Sequence, residues 1–284
     1  MRISNKEKTE ILLEALPYIS RFQGKIFVIK LGGSVLCNEK NMQSVIEDVV
    51  FLSKIGIKTV IVHGGGKDIN NELKVHEIEP KFVDGVRFTD NKTMEIAEMV
   101  LSGKVNKKLV AEANSNGLLA VGISGKDASF IHAKKKAKLG NVGEVVNVDT
   151  GLINALFESG FIPVISPVCC DKNCKPLNVN ADDVAVAIAK ELKAEKLIFL
   201  SDIDGVLMDV NDKNTVISTI LVKDIAKMIK DKVITGGMIP KMLSCGDAVK
   251  SGINAVHIIN GATKHAMLLE IYTDNGVGTV IKNG

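Results

Sequence analysis

The chain has 284 residues, 46% of them hydrophobic, enough for one large or two small domains with real cores and far from the composition of a disordered chain. Lysine and arginine number 36 against 33 acidic residues, a formal net charge of +3, which excludes a nucleic-acid binder that relies on concentrated basic charge. No apolar run approaches the roughly 18 residues that span a bilayer, and no signal-peptide core follows the first residues, so a cytoplasmic protein with no membrane or nucleic-acid partner is expected.

In chain order, residues 5–21 predict an amphipathic helix with Ile11, Leu12, Ala15, Leu16 and Ile19 on one stripe, which Pro17 should kink or end. The stripe must be covered by the chain's own domain or by another subunit. Apolar strands are predicted at 26–31, 59–63, 119–123, 162–166, 197–201, 256–260 and 277–281. Helical periods at 42–55, 92–101, 152–159, 183–192, 223–229, 242–251 and 264–272 fall between them. Gly56, Gly160 and Gly252 each follow a helical pattern, where a left-handed cap prefers glycine. Strands apolar on both faces and joined by helices define an α/β class with a mostly parallel sheet between helix layers. Residues 125–148, with Lys134, Lys135, Lys136 and Lys138, predict a projecting hairpin or loop. Of five cysteines, Cys169, Cys170 and Cys174 cluster, but adjacent cysteines rarely fit one tetrahedral site and no fourth ligand lies nearby, so no metal site is expected.

Ligands of open α/β sheets collect at the carboxyl ends of strands. There the sequence places Lys30, Leu31, Gly32 and Gly33 after the first strand and His63, Gly64, Gly65 and Gly66 after the second. Glycines let backbone approach an anion, and a helix N-terminus favours negative charge, although each loop alone is also a plausible tight turn. The P-loop, dinucleotide, nucleophile-elbow and zinc-helix motifs are all absent. Further along, Asn178, Val179, Asn180, Ala181 and Asp182 open a helix that Asn180 or Asp182 could simply cap. Ser201, Asp202, Ile203, Asp204, Gly205 and Val206 follow a strand and could be an ordinary Asp-Gly turn. Gly236, Gly237, Met238, Ile239, Pro240 and Lys241 open another helix, with the lysine opposing the helix dipole, a cost that an anionic ligand would offset.

In this order and spacing, with Gly85, Val86, Arg87, Phe88 and Thr89 added, the motifs resemble the amino acid kinase family, and within it the acetylglutamate branch, over essentially the whole chain from Lys25. The resemblance implies a three-layer sandwich in two lobes, 25–178 for the acceptor and the dimer contact and 179–284 for ATP, preceded by a kinked arm at 1–24. It implies transfer of the ATP γ-phosphoryl group to the γ-carboxylate of N-acetyl-L-glutamate, a step of arginine synthesis, with Mg2+ carried mainly by the phosphates. A carboxylate is already ionised at neutral pH, so such a site needs positioning and charge stabilisation rather than a base.

By the same resemblance Lys30 contacts the transferring phosphoryl group, Lys241 faces the leaving group, and Asp182 organises the two lysines. Backbone donors of Gly32, Gly33, Gly65 and Gly66 would surround the phosphoryl group and the acceptor carboxylate. Arg87 would hold the α-carboxylate, and Asn178 and Asn180 the rest of the acceptor. Nucleotide would lie on Ser201, Asp202, Gly205, Val206, Gly236, Gly237 and Met238.

Arginine-inhibited members of that branch have an extra N-terminal helix that interlaces dimers, so a hexameric trimer of dimers with arginine as effector is expected, Tyr18, His257, Glu270 and Gly276 lying near it. The Cys169–Cys174 stretch departs from the family's usual glycine-rich turn and raises the expectation of an oxidisable thiol beside the acceptor pocket. An aminoadipate-type kinase and a catalytically silent arginine sensor are the rival readings; the sensor is disfavoured because Lys30, Lys241 and Asp182 are all present.

Overall fold

The computed structural model describes residues 4–209, 212–273 and 276–284, so three residues of the 1–24 arm lie outside it. Strand β1 (Ile26–Leu31) is the pivot of an eight-stranded sheet. On one side it pairs in parallel with β2 (Lys58–His63), followed by β8 (Ile162–Ser166) and β5 (Ala120–Ser124). On the other it pairs in parallel with β11 (Lys196–Ser201), then β13 (Ala255–Asn260), beyond which lie β14 (Thr279–Lys282) and β12 (Thr219–Leu221). Among the described residues, only the β13–β14 pairing of this sheet is antiparallel. The order of strands reverses between β1 and β11, the crevice where ligands of such sheets bind.

Side chains alternate across this sheet and feed two cores. Phe27, Ile29, Leu31 and Ile61 join a cluster on one face with α3 (Glu39–Lys54), α6 (Asn106–Ser115) and α11 (Ala266–Tyr272). Val28, Val60, Val62 and Phe199 join the other, with α8 (Ala181–Glu191) and α10 (Met238–Lys250). By that alternation Lys30 belongs to the α8/α10 face.

A second sheet of four strands, in the order β10 (Pro176–Asn178), β9 (Val168–Cys170), β6 (Ile131–Lys135), β7 (Gly143–Val148), carries the predicted projecting hairpin. A two-stranded ribbon, β3 (Phe82–Val83) and β4 (Val86–Arg87), stands beside it. The cysteine expectation needs correction here. Cys169 and Cys170 are buried within β9, and burial pushes the Cys169 thiol far above its usual range, which makes it unreactive. Cys174 is exposed in the turn before β10.

Several boundaries differ from expectation. Helix α1 (Asn5–Phe22) carries Pro17 inside it, so the proline does not end it; Ser4 and Glu7 form a capping box at its start. The helical period at 92–101 becomes α5 (Asn91–Glu98), a π-helical stretch Met99–Val105, and then α6, because the widened turn carries the helix past Gly103. Helices α8 and α10 begin earlier than the periodicity indicated, at residues whose polar side chains or proline suit a first turn. Gly56, Gly160 and Gly252 take φ of +89°, +77° and +110°, as the cap positions required. No helix among the described residues is long and apolar enough to cross a membrane.

Candidate active site

At the carboxyl end of β1, Lys30 Nζ lies 2.7 Å from Asp182 Oδ1. Asp182 is set there by the start of α8, where Asn180 acts as the cap, its Oδ1 accepting from the Asp182 N–H at 2.9 Å. Lys241, in the first turn of α10, brings Nζ to 3.9 Å from Asp182 Oδ2 and 5.1 Å above the Phe199 ring. One carboxylate therefore lies between two ammonium groups from different elements, which holds them together despite their mutual repulsion. The Lys30–Asp182 contact is an ion pair without hydrogen-bond alignment, since Asp182 Oδ1 is buried and has no aligned donor.

Three clefts adjoin this cluster or lie along the same strand ends. The first, about 330 Å3, is lined by Lys30, Gly33, Gly65, Gly66, Arg87, Asn178 and Asn180. The second, about 230 Å3, contains Asp182, Gly237 and Lys241. The third, about 320 Å3, is formed by Asp202, Gly205, Val206 and Met238. A larger cavity of about 800 Å3 lies along α3 and α6 and contains none of the predicted site residues.

Arg87 is the polar anchor of the first cleft. Its Nη2 donates to Gly66 O at 3.1 Å and its guanidinium lies 4.9 Å from the Phe82 ring, while Nη1 is buried with no hydrogen-bond partner. Burial presses its pKa down, so a carboxylate at Nη1 would relieve both costs. Asn178 donates to Thr89 Oγ1 at 3.2 Å, tying β10 to the segment after Arg87. Asp183, next to Asp182, has its pKa raised by burial, partly offset by Lys136 4.0 Å away.

The glycine loops divide their labour. Gly32 donates its N–H to Leu200 O at 2.8 Å, and a Cβ there would sit 2.7 Å from that same oxygen. Its donor is thus spent on joining β1 to β11, and the free donors of this loop begin at Gly33, a correction to the expected set. In the third cleft Gly205 has φ +138° and Val206 N–H donates to Thr279 Oγ1 at 2.8 Å. Ser201 Oγ is buried without a partner, Asn260 Nδ2 donates to Asp204 Oδ1, and Gly236, with φ +54°, turns the chain into α10 beside Gly237.

The predicted effector residues form a separate group. His257, buried in β13, lies 2.7 Å from Glu270 Oε1 through Nδ1. Glu270 Oε2 accepts the N–H groups of Val277 and Gly278 at 2.8 and 3.0 Å. Gly276 is pressed against the Glu270 carboxylate, where a Cβ would come within 2.6 Å of Oε2. Tyr18 joins through an edge-to-face contact with Tyr272, ring centroids 5.9 Å apart. The sequence reading missed Lys196, whose Nζ lies 2.8 Å from His257 Nε2 and 5.2 Å from the Phe22 ring. Burial lowers its pKa to about 8. It also missed Lys136, since a lysine in a basic run gives no sign of facing a cleft.

This geometry sits in a chain that belongs to the amino acid kinase family, whose profile matches residues 25–260. Among its curated relatives, acetylglutamate kinase of Alkaliphilus metalliredigens is 48% identical over 285 residues, covering 100% of this chain and 90% of the relative. Acetylglutamate kinase of Methanocaldococcus jannaschii is 46% identical over 288 residues, covering 97% and 96%. Among solved structures, N-acetylglutamate synthase from Neisseria gonorrhoeae complexed with coenzyme A and N-acetylglutamate superposes with a TM-score of 0.85 at 23% identity. The match covers 97% of this chain and 63% of the synthase, so the chain spans under two thirds of that protein's length. Carbamate kinase from Giardia lamblia superposes with a TM-score of 0.68 at 15% identity, over 92% and 99% of the two chains. The last two establish the fold.

Proposed function

We propose that the protein transfers the γ-phosphoryl group of ATP to the γ-carboxylate of N-acetyl-L-glutamate, giving the acyl phosphate and ADP in the acetylated route to arginine. The observation that carries this reading is the Lys30–Asp182–Lys241 cluster between one cleft ending at an orphaned guanidinium nitrogen and another at the start of α10. The acceptor's α-carboxylate takes Arg87 Nη1, its acetylamino group faces Asn178 and Asn180, and its γ-carboxylate points at Lys30. Nothing need remove a proton, because the nucleophile is already anionic. Lys30 stabilises charge on the transferring group and Lys241 charge on the leaving β-phosphate, while Asp182 keeps both ammonium groups from drifting onto either anion alone. N–H groups of Gly33, Gly65 and Gly66 supply the remaining donors.

Residues 25–178 form the acceptor lobe and 179–284 the nucleotide lobe, with the nucleotide along the Ser201–Val206 turn. Mg2+ would arrive with the ATP, carried by phosphate oxygens and water. Cytoplasmic ATP is the donor.

L-Arginine is the proposed effector, at Tyr18, His257, Glu270 and Gly276, and the assembly a trimer of dimers. What supports the assembly is α1, which leaves Ile11, Leu12, Leu13 and Leu16 between 53% and 71% exposed, an apolar stripe that pairing with another arm would cover. The test is ADP release with ATP and Mg2+, offering N-acetyl-L-glutamate, N-acetyl-L-aspartate, glutamate and aminoadipate separately, with and without arginine. Turnover of N-acetyl-L-glutamate alone, suppressed by arginine, is expected. Preference for aminoadipate would overturn the acceptor, and indifference to arginine would remove the effector and the role of α1.

A further inference from the structure

His63 ends β2, is wholly buried, and stands directly before the three glycines of the first cleft. Its Nδ1 lies 2.8 Å from Gly64 O and its Nε2 lies 3.1 Å from Asn106 Nδ2. The orientation of the Asn106 amide follows from its other neighbours. Lys107 Nζ, which can only donate, lies 3.1 Å from Asn106 Oδ1, and Val164 O, which can only accept, lies 2.9 Å from Asn106 Nδ2. Asn106 therefore presents hydrogens to His63, Nε2 is the bare acceptor, and the ring proton sits on Nδ1, donating to Gly64 O. Burial holds the imidazole neutral, its pKa lowered to about 4.

The same pattern extends along the loop. Gly65 O accepts from Ile69 N–H at 2.9 Å and Gly66 O from Arg87 Nη2 at 3.1 Å. All three glycine carbonyls are thus held by donors from within the protein, while the first N–H groups of α4 (Gly66–Val75) have no intrahelical acceptor. A carbonyl released from such a hold and turned into the cleft would set an oxygen against an anion.

We propose that His63, as its Nδ1–H tautomer fixed by Lys107 and Asn106, is a positioning residue for phosphoryl transfer: it anchors the Gly64 carbonyl so that the Gly65 and Gly66 N–H groups face the reacting anions. The inference rests on the kinase reading above, and it extends the site to a hydrogen-bonded chain that reaches the Gly122 carbonyl in β5 through Lys107 Nζ, 2.8 Å away.

Two substitutions separate the two ring nitrogens. In His63→Asn the amide nitrogen takes the place of Nδ1 and can still donate to Gly64 O; in His63→Gln it takes the place of Nε2 and cannot. Steady-state kcat and KM for both substrates are measured with each variant, beside thermal unfolding and the wild-type enzyme. His63→Gln is expected to lose about 30-fold in kcat with KM changed by less than about 3-fold, and His63→Asn to keep kcat within about 3-fold of wild type. A purely structural histidine would lower the melting temperature of both variants and leave kcat of the folded fraction alike, and that result overturns the proposal. So does failure of both to fold, since His63 would then serve the fold rather than the loop. If only His63→Gln fails to fold, the Nδ1 hydrogen bond serves the fold rather than the loop, and that result also overturns the proposal. Wild-type protein that does not turn over N-acetyl-L-glutamate would instead refute the kinase reading itself.

Discussion

Two clusters in this molecule use similar chemistry, a lysine set against a carboxylate directly or through a histidine, to opposite ends. In the candidate active site Lys30, Asp182 and Lys241 are partly open to solvent and imperfectly paired, and Arg87 Nη1 nearby has no partner. Around β13, by contrast, Lys196, His257 and Glu270 form a chain of close contacts that ends on two backbone N–H groups. The first arrangement has binding capacity left over for anions; the second is closed on itself and fixes α11 against β13, so the proposed effector would have to displace part of it to reach Glu270. Surplus polar capacity in a buried place thus marks the proposed reacting site, and a closed cluster marks a place where ligand and fold compete.

The sharpest way to break this contrast is Lys30→Met, which should cost about 10³-fold in kcat while leaving the thermal midpoint little changed. Steady-state kinetics beside a melting curve would decide; a large loss of stability with kcat retained in the folded fraction would make Lys30 structural. Next, Arg87→Lys should raise KM for N-acetyl-L-glutamate about 30-fold with a smaller change in kcat, because a point ammonium cannot reproduce the fork that serves Gly66 O and the acceptor together. An unchanged KM would remove Arg87 from the acceptor.

In the second cluster the expected loss is of stability. Glu270→Ala strands His257 and the N–H groups of Val277 and Gly278, and should cost about 3 kcal/mol in urea unfolding. Lys196 gives a pH signature there. Its pKa is about 8 in the folded chain and near 10.4 unfolded, so between those values the unfolded state binds more protons and stability rises with pH. Wild type should gain about 2 kcal/mol relative to Lys196→Met between pH 8 and 10; parallel curves would show that Lys196 is not desolvated. The smallest effect concerns thiols. Cys37 and Cys174 should react with a thiol reagent in the native protein and Cys169, Cys170 and Cys245 should not, without loss of turnover.

Much of this was legible from local chemistry. The apolar runs at 26–31 and 162–166 coincide with β1 and β8, because strands buried on both faces announce themselves by composition alone. Lys241 stood out as a cation in the first turn of a helix, whereas the parts given to Lys30 and Asp182 came from the resemblance to the amino acid kinase family. What escaped depended on distant partners. The π-helical stretch hid behind Ser102 and Gly103, which look like a stop; β9 and β10 hid within a cysteine cluster that suggested an oxidisable thiol. Lys196 reads as the solvated start of a strand until Phe22 covers it, and nothing near His63 in sequence points to Asn106.

The placement of β14 between β12 and β13 has a consequence for the order of assembly. Until residues 279–282 dock, β12 has no neighbour in the sheet and Val206 lacks the Thr279 hydroxyl that fixes the proposed nucleotide turn. The strands β1, β2, β8 and β5, on the side of the proposed acceptor cleft, need nothing from that segment to pair with one another. A folding chain can thus assemble the acceptor side while the donor side is still unmade, and docking of β14 is the step that completes the proposed nucleotide turn.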